Sequence, residues 1–435
     1  MLGVSANGPV EGDPDERAGE RDAAEAPDRD RDRTAAREAA QAAERDAWTI
    51  LVGVEGLGPV GFAALLDRFG SGRAILRAAT EPGGVRRLAA TPPSMRADGE
   101  SGRRPISTLT AAAIADATTT GAHVLDRIRE LGLRVVTVAD AAYPSRLASI
   151  DLPPPVLFVL GDVRALEASH AIAVVGTRRP TDRGRALAAR IASALASVGA
   201  NVVSGLAVGI DGAAHDAAVS SGGTTTAVIG GGHATLYPRA HRALADAIVA
   251  GGGAVVSELA PDVASTRGTF PRRNRVISGL SDAVVVVEAP ARSGALITAS
   301  WALEQGRDCY LVPGHIDAPE SEGCLAYLRE FPDQARIVAG IPQLLADLGL
   351  ARAITRAPLA GGAIADLGAT AGQVARGLVD GLATVDELVA TTGLPVATVL
   401  ATLTILERDR LTVGVHGRYR PAGTLALQPP GRAPR

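Results

Sequence analysis

Between residues 171 and 312 the sequence alternates six short apolar runs with stretches of helical spacing. The runs are AIAVV, NVVSG, TTAVIG, AVVSE, AVVVVEA and CYLV; RALAARIASALASVG and ALITASWALEQG are two of the stretches between them. Runs this short and this rich in β-branched residues suit strands buried on both faces. A strand-helix-strand order of this kind closes by right-handed crossovers into a mostly parallel, doubly wound α/β sheet. Aromatic residues make up only 3% of the chain, so the core must be aliphatic. In such a sheet ligands bind beyond the carboxyl ends of the strands, which directs attention to the loops that follow each run.

At 435 residues the chain is long enough for two or three folded units with tails. Residues 1–46 hold 13 acids and 7 arginines, a local charge of −6 within a whole-chain charge of −3, and are expected to be a disordered tail. Residues 47–135 read as a helical module of helix-hairpin-helix or SAM-like type. Its Gly56-Leu57-Gly58 turn either offers backbone N–H groups to a phosphate or simply joins two packed helices. The α/β domain is expected over 136–348, an Ala/Gly/Pro linker over 349–370, a winged helix over 371–422 and a tail over 423–435. The third helix of the winged helix, VATVLATLTILERDR, carries no base before Arg408. Groove-reading helices present polar and basic side chains, so a structural or protein-contact role is expected for it.

Composition excludes several chemistries. The 44 basic residues are all arginine, which removes Schiff-base lysines, lysine nucleophiles and a Walker A lysine but leaves anion binding by guanidinium forks. Cys309 and Cys324 form no CxxC and read as small buried hydrophobes, so neither a disulfide framework nor a metal site is expected. With no apolar run near the roughly 18 residues that span a bilayer and no leader pattern, a cytoplasmic protein is expected.

The loops carry the distinctive residues. After the first run stands GTRRPTDRG, where Gly176, Thr177, Arg178 and Arg179 open a helix and favour an anion; the dinucleotide fingerprint G-x-G-x-x-G is absent. SGLAVGIDGAAH follows the second run. Ser204, Gly205 and Gly209 are expected to let the backbone approach a ligand, while Asp211 and His215 support the loop and could pair locally. Tyr237 beside Arg239 is a combination that stacks a base and clamps its phosphate. In TFPRRNRVISGLS, Phe270 precedes Arg272, Arg273, Asn274 and Arg275, a crowd of cations that would repel itself on a solvated helix and so points to a polyanion. Residues 171–280 hold 11 arginines against 6 acids, and 281–330 hold 3 against 8. VEAPARSGALITA ends a strand at Glu288, a loop-supporting carboxylate or an acid/base candidate, and opens a helix whose Ser293, Gly294 and Thr298 suit a phosphate.

VVGTRRPTDRG, SGLAVGIDGAAH, YPRAH, FPRRNRVISGLS, VEAPARSGALITA and VPGHI, in this order, resemble the signature blocks of the DprA/Smf family. The resemblance covers about Tyr143 to Leu348 and is weaker in the flanking modules. It implies a Rossmann-like domain that binds single-stranded DNA without catalysis or cofactor, a homodimer, and help in loading the recombinase RecA during natural transformation. It places the family's glycine–serine–arginine turn on Gly176, Thr177 and Arg178, its basic residue after Tyr-Pro on Arg239, and its Arg-Asn-x-Arg-like block on Arg273, Asn274 and Arg275. His241 stands where many members have asparagine. Two other readings are a nucleoside monophosphate phosphoribohydrolase, for which too few carboxylates converge near Thr298 and Glu304, and a duplex-DNA regulator acting through the winged helix.

Overall fold

The structure, a computed structural model, describes residues 35–92, 106–350, 368–408, 411–415, 417–422 and 425. It divides into two compact units, Met1–Leu344 and Leu345–Arg435. In the first unit β1 (Arg134–Thr137), β2 (Val156–Gly161), β3 (Ala171–Val175), β4 (Asn201–Ser204), β5 (Thr225–Val228), β6 (Ala254–Ser257), β7 (Ala283–Val286), β8 (Asp308–Leu311) and β9 (Ala335–Ile337) form one sheet, ordered β1-β2-β6-β5-β4-β3-β7-β8-β9. All six apolar runs are strands, and β3 to β9 pair in parallel. β2 joins β6 antiparallel, and β1 joins β2 the same way. Side chains alternate between two buried faces. Ala171, Ala173 and Val175 of β3 share one core with Val284 and Val286 of β7, whereas Ala227 of β5 and Val255 of β6 lie in another.

Ahead of the sheet run α1 (residues 35–52), α2 (Pro59–Phe69), α3 (Gly72–Thr80), α4 (Gly84–Ala89), α5 (Thr108–Thr120) and α6 (Ala122–Glu130). Their core, with Trp48, Leu51, Phe62, Leu65, Ile75 and Ile114, takes in Val156 and Phe158 of β2, so the helical module and the sheet are one body. The connections between strands hold α7 (Ser145–Ala148), α8 (Asp182–Ser197), α9 (Ile210–Ser220), α10 (Arg242–Ala250), α11 (Thr269–Gly279), α12 (Gly294–Glu304) and α13 (Glu322–Glu330); α14 (Ile341–Asp347) comes last. Cys309 and Cys324 are buried, and burial pushes both thiols up to about 12.

The expected disordered tail over 1–46 is corrected at its end, because α1 already begins at residue 35; residues 1–34 lie outside the described residues. Ala, Glu, Gln and Arg are strong helix formers, and their high charge conceals that propensity. Glu44 accepts hydrogen bonds from Trp48 Nε1 (2.7 Å), from Arg73 N (3.2 Å) and from Gly72 N, and so satisfies the first turn of α3. Arg45 pairs with Asp140 at 2.9 Å.

The second unit holds α15 (Gly368–Val379), α16 (Val385–Thr392), α17 (Val396–Arg408) and the antiparallel hairpin β10 (Thr412–Val415) and β11 (Arg418–Pro421), the winged-helix order expected. Thr384 and Glu387 form a capping box at the start of α16. Val374, Leu378, Leu388, Val399, Leu403 and Leu406 make its core. Leu425 is buried in that core, which corrects the expected tail at 423–435 at this one residue. Of the expected linker, 351–367 lie outside the described residues, and α15 starts at Gly368.

Glu44→Ala removes three acceptor contacts at once and is expected to destabilise the first unit by about 1–2 kcal/mol, read as a lower urea midpoint.

Candidate nucleic-acid interface

From β3 the chain proceeds to β4, β5 and β6 on one side and returns to β7, β8 and β9 on the other, so the direction of winding reverses beside β3. Loops diverge at such a point and leave a crevice. Here it is a cleft of about 790 Å³. Its wall is made by Gly176, Thr177 and Arg178 after β3, by Arg292, Ser293 and Gly294 before α12, and by Thr266, Arg267 and Phe270 before and within α11. Asp211, Arg273, Asn274 and Thr298 also line it.

Arg178 is exposed, and its guanidinium lies over the Phe270 ring at 5.0 Å. Tyr237, 54% exposed, meets Phe270 with ring centroids 6.0 Å apart and planes at 59°. A cation and two rings thus stand together at the cleft. The turn beneath is fixed from several sides: Thr177 N donates to Glu288 O (2.7 Å), Ile210 N to Thr177 O (3.2 Å), and Arg179 N to Thr177 Oγ1 (3.2 Å). Glu288 receives Thr181 N (2.9 Å) and Thr181 Oγ1 (2.6 Å) while Thr181 caps α8. Its partner is therefore a threonine rather than an arginine.

The polar run at α11 is mostly turned inward, which corrects the expectation of a solvent-facing cationic cluster. Arg273, only 4% exposed, donates to Gly205 O (2.7 Å) and to Val228 O and faces Asp211 across Gly205. Burial lowers Arg273 to about 10, which leaves it protonated at neutral pH. Burial raises the pKa of Asp211, while the Arg273 charge and the N–H groups of Ala207 and Gly205 act the other way. Asn274 donates to Gly294 O (3.1 Å). Arg275 forms a salt bridge with Glu258 and donates to Leu152 O (2.9 Å). The carbonyls after β4 and at the end of β5 need donors where the chain leaves the sheet, and Arg273 provides them. Only Arg272 of this group is exposed.

Of the fifteen residues expected to meet a ligand, ten line the cleft: Gly176, Thr177, Arg178, Tyr237, Phe270, Arg273, Asn274, Ser293, Gly294 and Thr298. Arg275 does not, and neither does Arg239, which is exposed at a short turn before α10. Ser204 is buried and gives its hydroxyl proton to Val174 O (2.7 Å). Gly205 and Gly209 do permit close approach, but of protein rather than ligand. A Cβ on Gly205 would meet Arg273 at 2.6 Å, and one on Gly209 (φ +94°) would meet Thr177 O at 2.4 Å. Asp211 and His215 do not pair. His215 Nδ1 bonds Thr225 Oγ1 (2.7 Å), whose own proton goes to Val202 O (2.5 Å). His241 Nδ1 meets Leu206 O (2.9 Å), a second loop-holding contact. Sequence reasoning missed Arg267 and Arg292, both exposed on the cleft. The position of Arg292 directly before Ser293-Gly294 was the available signal.

Arg275→Ala strands the Glu258 carboxylate and is expected to cost about 3 kcal/mol, seen in the urea midpoint. A pH effect follows from two core histidines. Burial pushes His215 down to about 3 and His233 to about 4, from 6.5 in an unfolded chain. The unfolded state therefore binds protons that the folded state refuses, so stability is complete above pH ~6.5 and declines as pH falls toward ~4. Urea midpoints measured between those values test this, and a flat profile would refute it.

A family model described as DNA recombination-mediator protein A matches residues 134–349, and one for the DprA winged helix domain matches 358–411. Protein Smf of Synechocystis sp. is 41% identical over 228 residues, 52% of this chain and 56% of that protein, so the match spans little more than half its length. DNA processing protein DprA of Bacillus subtilis is 41% identical over 208 residues, 48% of this chain and 70% of that one. The X-ray structure of DprA from Streptococcus pneumoniae has a TM-score of 0.56 at 31% identity, covering 69% of this chain and 97% of that chain. With both family models matching and a DprA relative 41% identical over 70% of its length, the chain belongs to the DprA/Smf family.

Proposed function

We propose that the protein binds single-stranded DNA in the cleft beside β3, acts as a homodimer, and delivers the strand to a RecA-type recombinase in recombination and natural transformation. The observation that carries the reading is the Arg178-Phe270-Tyr237 group. The rings, Tyr237 exposed and Phe270 half-buried, can take up unpaired bases by stacking, and the guanidinium beside them can hold the phosphate. A base within a duplex already has both faces covered, so this arrangement favours a single strand. Arg267 and Arg292, both exposed, add positive potential along the same wall. The descriptions of the relatives, DNA processing and recombination mediation, support this reading.

The proposal contains no chemical step. Among the described residues Asp211 is the one acid lining the cleft, and it is committed to Gly205 N (3.1 Å), Ala207 N (3.4 Å) and the facing Arg273. General acid/base work needs a group with proton-transfer freedom beside the substrate. Among the described residues no single helix is long and apolar enough to cross a membrane, and the cytoplasm is the proposed location.

Fluorescence anisotropy with matched single- and double-stranded oligonucleotides tests the reading, with tighter single-strand binding expected. Arg178→Ala should weaken that binding without changing sequence preference and reduce the salt slope by roughly 0.7. Phe270→Ala should cost about 1–3 kcal/mol, the worth of one stacked base. Unchanged affinity in both variants would remove the site assignment.

A further inference from the structure

We propose that the bound strand continues beyond the first cleft into a second one, where Arg272 and the Gly56–Gly58 turn of the helical module hold another phosphate. The inference rests on the single-strand reading above and extends it to a module that the reading does not use.

The second cleft, about 680 Å³, opens between that turn and the sheet domain within the first unit. Gly56, Leu57, Gly58 and Pro59 line one side, and Glu258, Leu259, Thr269 and Arg272 line the other. The two clefts meet across the start of α11, whose Phe270 and Pro271 face the first while Thr269 and Arg272 face the second. The proposed path of a strand leaving the Arg178-Phe270 platform passes round this helix end.

Arg272 is the cation on that path. It is the one arginine of the α11 group that points to solvent, and among the described residues no acid or carbonyl takes up its guanidinium. Its Nη2 lies 3.9 Å from where a Gly58 Cβ would stand, so guanidinium and turn face each other. Gly58 is the N-cap of the eleven-residue α2 and gives it no side-chain cap; Pro59 has no N–H and Phe62 N is bonded to Gly58 O, so the first-turn amides left for a ligand are those of Val60 and Gly61. Two acids also border the cleft. Glu258 is neutralised by Arg275, which leaves Glu55 as the only uncompensated one.

Competition anisotropy on the full chain, with a thymidine trinucleotide and a thymidine dodecanucleotide, separates the two clefts. Arg272→Ala should weaken dodecanucleotide binding about fivefold, the worth of one exposed charge contact, and leave the trinucleotide unchanged. Gly58→Asp should do the same. Its extended backbone (φ −82°, ψ 175°) suits an N-cap aspartate, so α2 should keep or gain stability while a negative charge occupies the phosphate position. Melting curves verify that both variants fold, and Arg272→Ala decides alone if Gly58→Asp does not. Wild-type dodecanucleotide affinity in Arg272→Ala overturns the second cleft and leaves the first intact. Equal loss on both oligonucleotides also overturns it, by assigning Arg272 to the first cleft. Failure of the unmutated protein to bind either oligonucleotide would instead refute the single-strand reading itself.

Discussion

The buried charge of Arg273 holds the carboxyl end of the sheet together. From α11 it reaches the carbonyls that end β4 and β5 and faces Asp211 at the start of α9, so one guanidinium ties three elements around the switch point. A charge removed from water is stable only where hydrogen bonds and a counter-charge replace its hydration. That condition explains the close packing nearby. Gly205 has no side chain because Arg273 and Asp211 occupy its space, and Asp211 takes the two loop amides that would otherwise be orphaned. Both carbonyls are served by the one nitrogen Nη1, and a guanidinium keeps its charge on burial where an ammonium readily loses it, so arginine suits this place for its charge.

With Arg273 and Arg275 committed inward, the division of labour among the arginines becomes clear. Those inside shape the loops, and those outside, Arg178, Arg267, Arg272 and Arg292, set the potential a ligand meets. The Thr177 turn is held by three hydrogen bonds, so in the proposed complex little ordering of it remains to be done.

The architecture was legible because a sheet covered on both faces leaves no choice of pattern: each apolar run became a strand, and each loop after it reached the same edge. The cleft was legible for the same reason, since the residues after β3 and before α12 could hardly lie elsewhere. The depth of the side chains was not. Every residue of α11 from Arg273 to Gly279 is buried, so beyond its first turn this helix has no solvent face on which a cationic cluster could stand. Reading the cluster by charge alone concealed this. Charge likewise hid the helix at residues 35–46, where the composition resembles a solvated tail while Glu44 and Arg45 make specific contacts with distant residues. In both places what decides between solvent and partner is a backbone group far away in sequence, and local composition contains no record of it.

The same reasoning applies to α17 in the second unit. Its buried side carries Val399, Leu403 and Leu406, yet Leu400 and Ile405 on the opposite side are 44% and 45% exposed. A helix with apolar residues on both sides spends more hydrophobic surface than its own small core uses. A groove-reading helix would carry donors there, whereas α17 carries alanine, threonine and leucine until Arg408. The fold of a DNA-reading module is thus present with a third helix unsuited to base readout, and the exposed arginines of this unit lie instead on α15, at the end of α17 and on β11.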